Sequence, residues 1–139
     1  MSCEYPVRAR SALFTLPMCC LAGGLLTGKH DRASPPQQGT RFALGTAGAR
    51  YQARYWNERE FSTVEEVRAV AKQAGMTMPT MAISWVLSNP AITSPIIGAS
   101  ASGQLADGLA AAEKGPLPED LKAKLDGITR AWRAVDAMR

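Results

Sequence analysis

Histidine is nearly absent from this chain and cysteine is scarce. Its 139 residues include one His and three Cys. Cys3, Cys19 and Cys20 offer no Cys-x-x-Cys spacing, and adjacent cysteines rarely bridge each other. Zinc and disulfide frameworks are therefore poor readings, and no metal site is expected. A thiol nucleophile would need a base, and the single imidazole, His30, lies ten residues beyond Cys20. The expected state of the thiols is buried and inert. Long apolar runs are missing too. None approaches the roughly 18 residues of a membrane span. The apolar stretch Ala12 to Leu16, behind Arg8 and Arg10, is too short for a signal peptide and is interrupted by Pro17. No membrane partner is expected, and the expected location is cytoplasmic. Runs of Lys and Arg are absent as well. The net charge of +4 arises within residues 1–61, where eight Lys and Arg meet four Asp and Glu. These charges are scattered, so nucleic acid is not an expected partner.

What is present is the composition of a folded domain, 46% apolar and 20% charged. The length suits one domain with a real core. Leu21-Ala22-Gly23-Gly24-Leu25-Leu26-Thr27-Gly28-Lys29 reads as a strand end running into a loop. Residues 30–61 then read as one long loop, with Pro35, Pro36, Gly39, Gly45 and Gly48. A loop of that length is commonly a lid or a disordered segment. Tyr51, Tyr55, Trp56 and Phe61 are expected to pack it onto the domain. His30 is expected at the surface or in the loop.

Helical signals follow. Ser62-Thr63-Val64-Glu65 has the form of a capping box. Val64, Val67, Val70, Ala71 and Ala74 share a helical face, and Gly75 closes the helix. Thr77 caps a second helix with Pro79 in its first turn, and Asn89-Pro90 stops it. Ile92, Ile96 and Ile97 suit a buried strand. A helix over about Ser102 to Ala112 comes next, and Gly115-Pro116 breaks the chain. Pro118 opens a last helix carrying Leu121, Leu125, Ile128, Trp132 and Val135. The order strand, loop, helix, helix, strand, helix, helix predicts an α/β fold with a parallel sheet covered by helices.

The stretch Ser94-Pro95-Ile96-Ile97-Gly98-Ala99-Ser100 organises this pattern. Gly98 permits a sharp turn and a close approach to a ligand. Ser100 or Ser102 can cap the next helix, whose free N–H groups suit an anion such as phosphate.

Three blocks together resemble the aldo-keto reductase family. They are the glycine segment Leu21 to Lys29, Arg54-Tyr55-Trp56-Asn57 with its following helix, and Ala82-Ile83-Ser84-Trp85-Val86-Leu87 through Ser94 to Ser100 with Gln104-Leu105 and Asp107. The resemblance covers residues 21–139 and leaves residues 1–20 as an unmatched segment. It implies a partial (β/α)8 barrel: the last two strands and their surrounding helices, incompletely closed. A full barrel takes roughly 250 residues.

By that resemblance the chain is the cofactor-binding C-terminal part of an oxidoreductase that reduces aldehydes or ketones with NAD(P)H. Leu21, Ala22, Gly23 and Gly24 would lie along the pyrophosphate. Gly98, Ala99 and Ser100 would meet the adenosine phosphate, and Gln104 and Asp107 would face the adenine end. Ala101 stands where the family often has Arg or Lys, and Gly108 where it usually has Asn. NADP is the expected cofactor, with NAD also allowed. The family's catalytic Tyr, Lys, Asp and His fall before the matched region, so no catalytic residue is assigned and no turnover is expected from this chain alone. The rival reading is a non-catalytic remnant or association module, pairing with a separate N-terminal half or with itself. Its sticky positions would be Val64, Val67, Trp85 and Trp132.

Overall fold

A computed structural model of the chain describes residues 14–132. Five helices carry them: α1 (Gly45–Tyr55), α2 (Glu58–Gln73), α3 (Met78–Leu87), α4 (Ser102–Lys114) and α5 (Glu119–Ile128). Two short 3-10 turns lie at Ala22–Thr27 and Arg41–Ala43. No β-strand occurs among the described residues. The expected α/β fold, a partial barrel with strands near Leu21 and over Ile92 to Ile97, is corrected to a helical assembly.

The reasons are local. Ala22, Gly23 and Gly24 have φ values of 49°, 70° and 109°. These left-handed values coil the chain into consecutive tight turns where a strand needs extension. Ile96 and Ile97 stay 49% and 39% exposed, so the segment lacks the two-sided cover of a buried strand. It still has a neighbour. The Thr93 and Ser94 N–H groups both point to the Thr15 carbonyl, at 2.9 and 3.4 Å, and the Ile96 N–H donates to the Pro17 carbonyl at 2.9 Å. Thr15 N–H donates in return to Thr93 Oγ1 at 3.0 Å. Pro17 has no N–H to give, which keeps this pairing short. The partners ascend together, so the two segments run the same way. The glycine turn follows one of them and Gly98 to Ser100 follow the other.

The helices depart from expectation in instructive ways. α3 begins as read: Thr77 is its N-cap, Thr77 Oγ1 accepts the Thr80 N–H at 3.2 Å, and Pro79 sits in the first turn. α2 begins at Glu58, so Ser62 to Glu65 is helix interior. There the Thr63 hydroxyl donates back to the Arg59 carbonyl at 3.0 Å. α1 occupies part of the expected loop. α4 is capped by neither Ser100 nor Ser102: its N-cap residue is Ala101 and no side chain caps it. Pro118 precedes α5 as expected; Val135 and Cys3 lie outside the described residues.

α2 forms the middle of the core. Phe61, Val64, Val67 and Val70 meet Met78 and Met81 of α3, Leu125 of α5, and Trp132. Ala22 and Leu25 of the glycine turn and Tyr55 of α1 close the cluster. A smaller cluster joins Cys20 with Ile83 and Val86 of α3 and Ala111 of α4. Val64, Val67 and Trp132 are buried and Trp85 is half-buried. The expectation that they form exposed sticky positions is thus corrected, because α3, α5 and the glycine turn of this same chain cover them. Burying each such side chain stabilises the fold by about 1.5–3 kcal/mol.

Candidate functional site

The predicted site residues fall into two groups. The first is the glycine turn. Ala22 is 2% exposed and belongs to the core, while Leu21 packs partly against the smaller cluster. The Ala22 N–H donates to the Cys19 carbonyl and the Gly24 N–H to the Leu21 carbonyl, both at 2.9 Å. A Cβ on Gly23 would stand 2.7 Å from the Tyr51 ring. Gly23 is therefore held by an aromatic neighbour as well as by its positive φ. The turn is fixed from outside: the Arg68 guanidinium donates to the Gly28 carbonyl at 2.8 Å, and the Thr27 hydroxyl to the Gly24 carbonyl at 2.7 Å.

The second group lies at the start of α4, and most of it is open. Gly98, Ala99, Ser100 and Gln104 are exposed. The Gln104 side chain reaches back so that its Oε1 accepts the Ser100 N–H at 2.9 Å, with the Ser100 hydroxyl at 3.3 Å. That leaves the Gln104 amide nitrogen as a donor. A Cβ on Gly98 would meet nothing within 4 Å. Asp107 sits one turn further on and is engaged. Its Oδ1 accepts the Thr77 hydroxyl at 2.5 Å and lies 3.2 Å from the Thr80 hydroxyl. It joins α4 to the N-terminus of α3.

A dinucleotide fits these two groups unequally. The α4 end has free space over Gly98, an uncapped helix N-terminus, a hydroxyl and an amide donor, which suit a ribose and its phosphate. In the glycine turn, two N–H groups that could meet a pyrophosphate already serve the turn itself. A small cavity among the described residues lies in a different place. It holds about 50 Å³ between the glycine turn and the helices, with Cys20, Ala22, Tyr55, Trp85 and Trp132 among its walls. It is apolar and far too small for a nucleotide.

One feature escaped sequence reading. His30 lies in a loop but is only 6% exposed. Its ring meets Phe42 at 5.0 Å and Trp56 at 5.2 Å, both edge-on. Among the described residues neither ring nitrogen has a hydrogen-bond partner. Burial, and secondly the Lys29 charge, pushes its pKa below 6.5. The expected loop position agrees with the structure, whereas the expected surface exposure is corrected; Trp56, also part of this cluster, was the available signal. Tyr51, Tyr55, Trp56 and Phe61 do pack inward as expected.

The pattern of the aldo/keto reductase family matches residues 13–130. The chain is 36% identical over 121 residues to an aldo-keto reductase of Pseudocercospora fijiensis, covering 83% of this chain and 40% of that protein. It is 34% identical over 126 residues to human aldo-keto reductase family 7 member A3, covering 83% and 37%. It is 32% identical over 127 residues to rat aflatoxin B1 aldehyde reductase member 2, covering 83% and 34%. The chain belongs to the aldo/keto reductase family. It spans about two-fifths of the length of the relatives it matches. No helix among the described residues is long and apolar enough to cross a membrane.

Proposed function

We propose that this chain is the cofactor-binding C-terminal part of an oxidoreductase that reduces aldehydes or ketones, and that it binds a nicotinamide dinucleotide. The observation that carries this reading is the open Ser100–Gln104 turn at the uncapped start of α4. Gly98 admits the ligand to the backbone. Ala99 and Ser100 meet the adenosine phosphate, and Gln104 donates to it through its amide nitrogen. Asp107 acts as a positioning residue that seats α4 on α3. Leu21, Ala22, Gly23 and Gly24 supply a fixed wall beside the pyrophosphate. The bound nicotinamide would supply the hydride. The residues named here hold the dinucleotide, and none of them is assigned the carbonyl's proton. NADP is the favoured cofactor, and Ala101 allows NAD because no cation there selects a 2′-phosphate. The test is a titration with NADPH and NADH, followed by calorimetry, on the wild type and on Ser100→Ala and Gln104→Ala. Saturable binding weakened by both substitutions supports the reading. Binding that neither variant changes contradicts it.

A second reading rests on a different observation. Large apolar side chains ahead of the glycine turn are exposed, with Phe14 at 80% and Met18 at 67%. They favour an association module that pairs with a separate N-terminal half.

A further inference from the structure

His30 stands directly behind the glycine turn. The place a Cβ would take on Gly24 lies 3.9 Å from its Nε2. The ring is buried against Phe42 and Trp56, and among the described residues neither nitrogen has a hydrogen-bond partner. No bond therefore fixes its protonation state; nearby charge does. The elements packed around it bring no free carboxylate. The turn from Leu21 to Thr27 has no charged residue, and Lys29 adjoins His30. Arg41 flanks Phe42 and stands over the Tyr51 ring. α1 adds Arg50 and Arg54, with Arg54 over Tyr55. At the start of α2, Glu58 is paired with Arg32 and Glu60 with Arg59. Asp31 turns back on its own loop, accepting the Ala33 N–H at 3.1 Å. Burial and Lys29 thus keep the ring neutral in the free protein.

An anion on the glycine turn changes that balance. The Ala22 and Gly24 N–H groups are spent inside the turn, and the Arg68 guanidinium is held by the Gly28 carbonyl. A pyrophosphate there needs positive charge from another source. We propose that His30 supplies it: with a pyrophosphate along Leu21 to Gly24, the imidazole takes one proton from solvent, and it returns that proton when the dinucleotide leaves. No other bond changes. Charges interact more strongly across a buried backbone layer than through water. By linkage, the proton and the dinucleotide each tighten the binding of the other. The proton link rests on the dinucleotide site proposed for this chain and adds a residue at its pyrophosphate end.

The test follows the His30 Hε1 proton by NMR from about pH 5 to about pH 8, in the free protein and in protein saturated with NADP, the acid-stable oxidised form. The chain has one His, so its signal needs no variant to assign it. The titration midpoint is expected to rise by about one unit or more on saturation. NADP affinity is then expected to rise about tenfold as pH falls through the two midpoints. His30→Phe keeps a ring between Phe42 and Trp56 and is expected to lose that gain. The ligand's own 2′-phosphate titrates equally against both proteins, so the difference between them belongs to His30. A midpoint that stays in place although NADP binds overturns the proton link alone, and leaves Lys29 as the source of charge. The same holds if His30→Phe retains the full gain. Absence of NADP binding at every pH overturns the proton link together with the dinucleotide site.

Discussion

Asp107 accepts the Thr77 hydroxyl at 2.5 Å, so a residue of α4 holds the N-cap of α3. A hydrogen bond to a charged acceptor contributes about 1.5–3 kcal/mol, and the exposure of Thr77 places this one below that range. Asp107→Ala is expected to lower stability by about 1 kcal/mol in urea denaturation. Asp107→Asn should retain most of that, since the amide oxygen still accepts. If Asp107→Ala leaves the midpoint unchanged and only weakens NADPH binding, the residue faces the ligand and does not position the helix.

Gly98 offers a cleaner probe of the site. Its φ is not in the left-handed region and a Cβ would meet open space. Gly98→Val is thus expected to fold with an unchanged thermal midpoint. If a nucleotide approaches this backbone, the same change should weaken binding about tenfold, equivalent to about 1.4 kcal/mol. Unchanged affinity would place the ligand elsewhere.

Two helical glycines should respond in opposite ways. A Cβ on Gly48 would stand 2.7 Å from the Phe42 carbonyl oxygen, a backbone atom. A Cβ on Gly108 would stand 2.3 Å from Ile97 Cδ1, the end of a side chain that is 39% exposed and able to turn away. Replacing a helical Gly by Ala gains about 1 kcal/mol in propensity, and overpacking costs about 1–3 kcal/mol. Gly48→Ala is expected to destabilise, and Gly108→Ala to be neutral or mildly stabilising. Chemical denaturation of both variants decides it.

The same glycine explains why α1 was invisible in the sequence. Its buried residues are Gly48 and Tyr55, with Tyr51 and Gln52 half-buried between them. That is helical spacing, but a glycine on the inner face leaves no hydrophobic stripe to read. α3 was legible because its signal is chemical: Thr77 and Pro79 fit one position and no other. The capping motif at Ser62 to Glu65 misled because the same residues are tolerated inside a helix when Thr63 bonds back to Arg59. The expected strands failed where left-handed φ values coil Ala22 to Gly24 and where Ile96 and Ile97 lack cover. At the candidate site, the exposed turn at Gly98 and the helix that follows it were legible, whereas the strand expected ahead of the turn does not form among the described residues. The engagement of Asp107 by Thr77 was not, since it depends on how two helices meet across thirty residues.

His30 should make stability depend on pH. Its pKa is lowered in the folded state, so the neutral ring is the folded form. The unfolded chain takes up a proton near 6.5, and below that pH protonation favours unfolding. Stability is therefore full above about pH 6.5 and falls as pH drops, by at most about 1.4 kcal/mol per unit. Urea midpoints between pH 8 and pH 5 should show this slope, and His30→Leu should flatten it, since the chain has no other His. An equal slope in His30→Leu would assign the effect to other groups.

Calorimetric titration of the folded wild-type protein with NADPH asks whether the α4 turn of this chain holds a nicotinamide dinucleotide. Saturable one-site binding is expected, weakened several-fold by Gln104→Ala while the helical circular dichroism stays the same. A folded protein that releases no heat with either NADPH or NADH, at concentrations that saturate its longer relatives, would contradict it.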